Sequence, residues 1–351
     1  MDLGSVRILL ALGAALIALS ASGNDAQAQT SGVQDDVVFT DYSPLSGNAE
    51  LARRLLSPLA GEKIRLILER SGKTLSEQPI DLSAEKFFVR LPSRKPSQGY
   101  GLLVFVPPWR EAKLPPGWSS VLDRYGVIFV SAERSGNDTD DLARREPLAL
   151  LAAENIIRRH AVDQTRVYIA GFSGGSRVAM RLALGYPDLF RGALLNAGSD
   201  PIGDGQAPLP PRDLFLQFQS TTRLIYVTGE LDTGGLAMDA NSIHSMRAWC
   251  VFDVHAEVMP RVGHATPDST SLARSLDALL DHARPDANRL AACRQAMENK
   301  LTAELQRDES LIAGGRRDDA HRLLIEIDRR FGGLAAPRSI DLSHQLIGPH
   351  S

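Results

Sequence analysis

Residues 167–175 carry the clearest chemical signal in the chain. They read Val-Tyr-Ile-Ala-Gly-Phe-Ser-Gly-Gly, a strand-like apolar run that leads into Gly-x-Ser-x-Gly. A tight turn between a strand and a helix strains the backbone of the central Ser173 and exposes its hydroxyl. Gly171 and Gly175 let the strand and the helix approach closely. Because the helix N-terminus also directs backbone N–H groups at a reacting carbonyl, the layout predicts a nucleophilic serine. A simple strand-to-helix turn is the alternative.

The elements around this motif must form a sheet that presents Ser173. From residue 100 onward, short unbroken apolar runs alternate with amphipathic helical patterns, and the runs lie at residues 102–106, 127–130, 167–170, 193–195, 224–227 and 254–258. Continuous Val/Ile/Leu runs of this length are typical of strands buried on both faces. Their alternation with helices predicts a mainly parallel sheet with right-handed crossovers.

The region before residue 100 has weaker patterns. Residues 50–56 favour a short helix, and residues 64–69 and 87–91 read as two strands. Turn-like residues separate these two runs. We therefore expect residues 29–98 to contribute N-terminal strands and a helix to the domain.

The C-terminal region differs in pattern from the rest of the chain. Apolar residues keep helical spacing between about residues 287 and 331, and Gly332 and Gly333 supply a helix stop. This predicts a helical hairpin followed by a poorly specified tail. We accordingly expect a domain at residues 29–284 and a helical C-terminal appendage at residues 285–351.

Three short motifs carry a resemblance to known proteins. Gly-Phe-Ser-Gly-Gly at 171–175, Tyr-Pro-Asp-Leu-Phe at 186–190 and Leu-Leu-Asn-Ala-Gly at 194–198 resemble α/β-hydrolases of the esterase and dienelactone-hydrolase-like kind. The same residues are similar to the polyhydroxybutyrate-depolymerase and feruloyl-esterase relatives. The resemblance covers roughly residues 60–283 and is specific for the superfamily rather than for one family. It implies the α/β-hydrolase fold and a catalytic triad in the chain order serine, acid, histidine.

The resemblance implies an acid just after a late strand of the sheet. The predicted strand at residues 223–228 is followed by Gly-Glu-Leu-Asp, and Asp232 matches the family's position. Glu230 is the nearby competitor. Asp200 and Asp204, which follow the previous strand, are weaker alternatives.

The base is expected in the loop after the last strand. There the sequence reads Met-Pro-Arg-Val-Gly-His, and His264 takes the position at which the family keeps its histidine. The seven other histidines fit worse, because they fall in helical stretches, at a strand start, before the Ser173 strand or in the C-terminal region. We expect His264 to take the proton from Ser173 while Asp232 fixes the imidazole tautomer.

Two backbone donors are needed to bind the oxyanion. Gly174, directly after the nucleophile, is expected to supply one of them. The other should come from the loop after residues 102–106, where the family commonly has His-Gly-x and this chain has Pro107-Pro108-Trp109. Since neither proline has an N–H, Trp109 is the candidate donor, and its ring is expected to wall the acyl pocket. A packing role is the alternative for Trp109.

A further polar loop follows a predicted strand at its carboxyl end. It reads Glu-Arg-Ser-Gly-Asn-Asp at residues 133–138. Ligands of α/β folds bind at that end of the sheet, so the loop is a candidate to face the site. A solvated polar loop is the simpler interpretation.

Composition narrows the class of partner. The chain of 351 residues is 43% hydrophobic and 23% charged, with a formal net charge of −3. A globular protein fits these values, and the lack of a basic block argues against nucleic acid as a partner. Phosphate-loop, His-Glu-x-x-His and clustered Cys/His motifs are missing from the sequence. We therefore expect no cofactor or metal. The resemblance to esterases implies a small-molecule or polymeric ester as the substrate.

The N-terminus has the pattern of a targeting segment. Arg7 precedes an apolar stretch at residues 8–19, which is too short to span a bilayer comfortably. Ala26-Gln27-Ala28 then resembles a cleavage site. We interpret residues 1–28 as a bacterial-type signal peptide, which predicts a secreted or periplasmic protein without a stable membrane anchor. A retained anchor is the alternative.

The chain has two cysteines, Cys250 and Cys293. In an exported protein such a pair favours a disulfide. The bond would join the C-terminal helices to the domain close to the segment that carries His264. Two unrelated thiols, one or both buried, are the alternative.

The sequence thus predicts a serine hydrolase of carboxylic esters. The same triad serves a serine peptidase or amidase of this fold, and the sequence does not separate the two activities. A non-catalytic hydrolase-like binding protein is a third possibility, favoured only by the prolines at 107 and 108.

Overall fold

The computed structural model describes residues 32–203, 207–281 and 286–347. The predicted signal peptide therefore lies outside the described residues, as do Asp204, His282, His350 and the start of the predicted appendage. Within the described ranges, no helix is both long enough and apolar enough to cross a membrane.

The core of the protein is an eight-stranded sheet with the order β1-β2-β4-β3-β5-β6-β7-β8. Strands β3 to β8 are parallel to one another, whereas β2 runs antiparallel to both β1 and β4. The predicted mainly parallel sheet is confirmed, and the strand β1 was not predicted. The strands are β1 Gly32–Val37, β2 Phe87–Leu91, β3 Tyr100–Val106, β4 Val127–Ala132, β5 Val162–Phe172, β6 Gly192–Asn196, β7 Arg223–Gly229 and β8 Val254–Met259.

Helices cover both faces of this sheet. Alternate residues of β3 show the two apolar layers: Leu102 and Val104 join one buried cluster, while Leu103 and Phe105 join the other. Burial on both faces explains why the strand reads as an unbroken apolar run. The helices are α1 Asn48–Leu55, α2 Pro58–Arg70, α3 Trp118–Tyr125, α4 Glu146–Arg159, α5 Gly174–Gly185, α6 Arg212–Thr221, α7 Thr233–Ala248, α8 Ser269–Leu280, α9 Ala287–Ala313, α10 Arg317–Phe331 and α11 Arg338–Ile347.

The strand predicted at residues 64–69 is wrong, because these residues lie inside helix α2. Ser57 caps the helix by accepting a hydrogen bond from the Ala60 N–H, and proline occupies the first helical position. Both features favour a helix start. Arg65 then pairs with carboxylates one turn away on either side, at Glu62 and Glu69. These local interactions outweigh the strand preference of the β-branched residues in the segment.

The predicted helical hairpin at residues 287–331 corresponds to α9 and α10. The tail after the hairpin, for which the sequence predicts no element, contains α11. Leu301, Ile327 and Phe331 belong to the same buried cluster as one face of the sheet. Phe331 also meets Trp249 edge-on, with ring centroids 5.7 Å apart. The C-terminal helices therefore complete the apolar layer on that face.

Cys250 and Cys293 form a disulfide with a Cα–Cα distance of 5.8 Å. Cys250 follows α7, just before the strand that leads to His264, and Cys293 lies in the first turns of α9. The bond therefore joins the first C-terminal helix to the sheet, as expected for a bonded pair.

Breaking this bond is expected to lower the melting temperature. The bonded cysteines are 43 residues apart, for which the chain-entropy model gives a stabilisation on the order of 4 kcal/mol. Calorimetry with and without reductant should show a decrease of roughly 5–10 °C. The double variant Cys250→Ala/Cys293→Ala is the control, because reductant should not shift its melting temperature. An unchanged melting temperature of the reduced wild type would contradict the stabilising role.

Candidate active site

Ser173 lies at the turn between β5 and α5, in a conformation that side chains rarely adopt. Its φ is 54° and its ψ is −122°, outside the regions of ordinary residues. The Ser173 N–H donates to the Asn196 carbonyl across to β6 at 2.8 Å, which holds the strained residue against the sheet. A non-glycine residue kept in such a conformation is a common feature of functional sites.

Two glycines make this turn possible. A Cβ at Gly171 would lie 2.1 Å from the Gly175 carbonyl oxygen, and a Cβ at Gly175 would lie 1.9 Å from the Val106 carbonyl oxygen. Both distances are far below van der Waals contact. The start of α5 therefore touches the ends of β5 and β3 backbone to backbone, as the Gly-x-Ser-x-Gly pattern predicts.

Ser173, His264 and Asp232 lie in one hydrogen-bonded chain. The Ser173 Oγ is 2.9 Å from the His264 Nε2, and the His264 Nδ1 is 2.7 Å from the Asp232 Oδ2. These three residues are contributed by three separate strand ends, after β5, β7 and β8. The side chain of Asp232 is 11% exposed and that of His264 is 49% exposed. The acid is thus enclosed, whereas the imidazole is open to solvent.

Burial and hydrogen bonding act in opposite directions on Asp232. Burial raises the pKa of its carboxyl, but hydrogen bonds from the Gly235 N–H and from His264 outweigh burial and hold the pKa below its usual value. The Gly235 N–H donates to the Asp232 Oδ1 at 3.0 Å, because Asp232 caps helix α7. Since one oxygen is used by the cap, the other is left to accept from the imidazole.

The competing acids have other partners. Glu230 Oε2 accepts from the Arg261 N–H at 2.8 Å, which pins the loop that carries His264 to the end of β7. Asp200 lies 3.4 Å from Arg177 Nε. Of the acids named in the sequence analysis that the structure describes, it brings only Asp232 into hydrogen-bond distance of His264.

Two residues that the sequence analysis did not assign support the histidine loop. Trp118, fully buried in α3, donates from its Nε1 to the Pro267 carbonyl at 2.8 Å. Asn196 donates from its Nδ2 to the Val227 carbonyl at 2.7 Å and to the Ala265 carbonyl at 3.4 Å. The Trp118 contact joins residues 149 apart in sequence. No local pattern signals such a partner, although the motif that contains Asn196 was noted for its resemblance.

Asp239 is a second carboxylate near Asp232, and it is buried. Asp239 Oδ2 accepts from the Thr228 hydroxyl at 2.5 Å, inside helix α7. Burial raises the pKa of Asp239 to about 6, and the nearby charge of Asp232 adds to the increase. Asp239 therefore changes charge in a pH range in which Asp232 stays ionised.

The loop after β3 places Trp109 beside the turn that carries Ser173. The Trp109 ring centroid is 5.8 Å from that of Phe172, and the Phe172 ring is 4.9 Å from the His264 ring. These rings form a continuous aromatic surface from the loop to the imidazole. Among the described residues, the backbone N–H groups of Trp109 and Gly174 donate no hydrogen bond. Both N–H groups are therefore free to bind an oxygen.

The described ranges contain no group of three or more His, Cys, Asp or Glu side chains arranged to bind a metal ion. The site itself presents a serine hydroxyl, an imidazole, a carboxylate and two backbone N–H groups.

The strand order and the tight turn at Ser173, between β5 and α5, define the α/β-hydrolase fold. No family model matches the sequence. A poly(3-hydroxybutyrate) depolymerase from Ralstonia pickettii is 30% identical over 98 residues, which are 24% of this chain and 20% of that protein. Poly(3-hydroxyalkanoate) depolymerase C from Paucimonas lemoignei is 30% identical over 96 residues, 23% of each chain. The chain thus spans about a fifth of the length of these curated relatives.

Solved structures give a similar but weaker likeness. LpqC, a poly(3-hydroxybutyrate) depolymerase from Bordetella parapertussis, has a TM-score of 0.41 and 16% identity, covering 60% of this chain and 88% of that one. An acetyl xylan esterase from Aspergillus awamori has a TM-score of 0.41 and 12% identity, covering 56% and 94%. At these scores the likeness carries no argument, and the fold assignment rests on the chain's own sheet.

The close contact between Gly175 and the Val106 carbonyl provides a direct test of the turn at Ser173. Gly175→Ala places a Cβ against the backbone of Val106, so α5 must shift away from β3 at a cost of about 1–3 kcal/mol or more. Chemical denaturation should therefore show a clear loss of stability. Gly61→Ala is the matched control, because Gly61 lies in helix α2 with open space around its Cα. That variant should be more stable by about 0.4–1 kcal/mol. Equal stabilities would contradict the close contact.

Proposed function

We propose that the protein is a serine hydrolase that cleaves carboxylic esters. The observation that carries this proposal is the hydrogen-bonded chain from Ser173 Oγ through His264 to Asp232, with distances of 2.9 and 2.7 Å. The strained backbone of Ser173 adds support, because it holds the hydroxyl at the end of β5 with the imidazole already in place. This arrangement suits nucleophilic catalysis by an activated hydroxyl.

The reaction follows from the positions of the polar atoms. His264 Nε2 accepts the proton of Ser173 Oγ as the oxygen attacks the acyl carbon of the ester. Asp232 accepts from the Nδ1–H, which fixes the tautomer and stabilises the imidazolium. The imidazolium then returns the proton to the leaving alcohol, and an acyl-enzyme remains. Water, deprotonated by the same imidazole, releases the carboxylic acid and restores Ser173.

The developing oxyanion requires donors that are already in position. Gly174 N–H and Trp109 N–H are the proposed pair, and both lack a hydrogen-bond acceptor among the described residues. The dipole of helix α5 adds a partial positive charge at Gly174. Preorganised donors of this kind are commonly the largest contribution to lowering the barrier.

The proposed substrates are esters, including bulky or polymeric ones. The half-exposed His264 side chain favours an accessible site, and the two curated relatives are named as polyester depolymerases. The disulfide agrees with an oxidising compartment. We accordingly propose export through the segment at residues 1–28, to the periplasm or the medium.

A panel of substrates tests the proposal. Purified mature protein should hydrolyse nitrophenyl esters and short 3-hydroxyalkanoate oligomers faster than aminoacyl nitroanilides. The reverse order of rates would favour a peptidase or amidase. A fluorophosphonate probe should label Ser173, as mapped by mass spectrometry. A folded protein that neither turns over esters nor reacts with the probe would support a binding role instead.

Replacing the nucleophile or the base should abolish turnover. Ser173→Ala and His264→Ala are each expected to lower kcat by on the order of 10⁴-fold or more, measured with a nitrophenyl ester. Ser176→Ala is the matched serine control, because its buried hydroxyl has no partner among the described residues. His255→Ala is the histidine control, since its side chain is exposed on β8. Both controls should retain activity, and an active Ser173→Ala variant would refute the nucleophile assignment.

The pH dependence should report the base. A general base must be neutral, so kcat/KM should fall about tenfold per pH unit on the acid side. Asp232 does not cause this decrease, because its lowered pKa keeps it ionised. Asp239 is the competing source, since its pKa is about 6. Asp239→Asn should therefore keep the acid limb of the profile. Disappearance of that limb in the variant would assign it to Asp239 instead.

A further inference from the structure

The segment between β4 and α4 is tied to the loop that carries Trp109. Arg145, which is 3% exposed, donates from Nε to the Ser135 carbonyl and from Nη2 to the Pro107 carbonyl, both at 3.0 Å. The Asn137 N–H donates to the Pro108 carbonyl at 3.0 Å. A buried guanidinium that binds carbonyls of both loops fixes their relative position, because each contact would leave a buried polar group unpaired if lost.

The same guanidinium sets the orientation of the Asn137 amide. Arg145 Nη2 lies 3.3 Å from Asn137 Oδ1. A guanidinium only donates hydrogen bonds, so the atom it contacts must be the amide oxygen and not the amide nitrogen. The Asn137 Nδ2 is consequently the free end of the side chain. Among the described residues, it has no hydrogen-bond acceptor, and the residue is exposed.

The amide lies directly beside Gly174. A Cβ built on Gly174 would be 2.1 Å from Asn137 Oδ1 and 2.8 Å from its Nδ2. A larger residue at position 174 would displace the Asn137 amide from this position. Gly136, the residue before Asn137, lies against the Trp109 carbonyl, where a Cβ would be 2.9 Å from the oxygen. The Asn137 side chain is thus next to Gly174, and its main chain is held against the loop that carries Trp109.

We propose that the Asn137 side chain is a third hydrogen-bond donor to the substrate carbonyl, acting through its Nδ2–H as the oxyanion forms. The proposal rests on the proposed esterase function. It accounts for the glycine at 174, for the fixed amide orientation and for the unpartnered amide nitrogen. It also compensates for the loop after β3, where Pro107 and Pro108 have no N–H groups to offer.

Two substitutions distinguish hydrogen-bond donation by the Asn137 amide from a packing role of its side chain. Asn137→Asp keeps an oxygen that accepts from Arg145 but removes the N–H donor. Asn137→Ala removes the donor without adding a charge. Loss of an oxyanion donor typically lowers kcat by roughly 10²-fold. Both variants should therefore lower kcat and kcat/KM equally on a nitrophenyl ester, with KM unchanged. Phenylboronic acid, which forms a tetrahedral adduct with serine, should bind both variants more weakly by a similar factor.

The outcomes are distinguishable. Asp138→Asn is the control for charge in the same loop and should retain the wild-type kcat. Each Asn137 variant should still melt in one cooperative transition above the assay temperature, so that a lower kcat does not reflect unfolding when the contact with Arg145 is altered. If Asn137→Asp keeps the wild-type kcat, the side chain serves only as an acceptor for Arg145 and the inference is wrong. A rise in KM with kcat unchanged would also overturn it, since it would indicate ground-state binding. A wild type without Ser173-dependent hydrolysis would instead overturn the proposed function, and the inference with it.

Discussion

Helix α5 begins against the carbonyl of Val106, at a distance that leaves no space for a Cβ on Gly175. This backbone contact brings the helix N-terminus to the carboxyl ends of β3 and β5. Ser173 is strained because it must turn the chain within that space. The orientation of its hydroxyl, the free N–H of Gly174 and the position of the Trp109 loop all follow from how closely the helix meets the sheet. Tight packing of this kind transmits small displacements rather than absorbing them.

The other parts of the site are held mainly by hydrogen bonds to main-chain carbonyls. Trp118 binds the Pro267 carbonyl, Asn196 binds the Val227 carbonyl, and Arg145 binds the Pro107 carbonyl. Each of these donors is buried, so an alternative loop position would leave a donor and a carbonyl without partners. Loops that would otherwise be mobile are thereby fixed to the rigid sheet. Ser173, Asp232 and His264 thereby hold a defined geometry, although none of the three is fully buried.

Much of the fold could be predicted because most strands of the parallel sheet are buried on both faces. The run at residues 254–258 is the exception, since β8 is an edge strand and is largely exposed. The run at residues 102–106 had to be a strand, since its alternate side chains enter two different apolar layers. The prediction failed at residues 64–69, where a capping serine and charge pairs at helical spacing decided the conformation. The edge strand β1 escaped notice because its mixed exposure gives no clear apolar alternation.

Among the site residues, too, some could be predicted from the sequence and others could not. Ser173 and Asp232 each follow a buried strand, and His264 follows the largely exposed edge strand β8. Their meeting at one edge of the sheet could be anticipated from a resemblance and a chain order. Trp118 and Arg145 could not be anticipated, because nothing near them in sequence points to their distant carbonyl partners. Supporting contacts of this kind depend on where loops meet, which local patterns do not encode.

If the proposed acyl-enzyme forms, the solvent-facing edge of His264 has a consequence for its fate. With 49% of its side chain exposed, the imidazole is open to small alcohols as well as to water. Alcohols present at high concentration would then intercept the acyl group and form new esters. If the substrate is a solid polyester, as the proposed function allows, the freshly released chain end would itself be such an alcohol. Resynthesis would then compete with hydrolysis until the product diffuses away, and net degradation would depend on how quickly the cut ends separate.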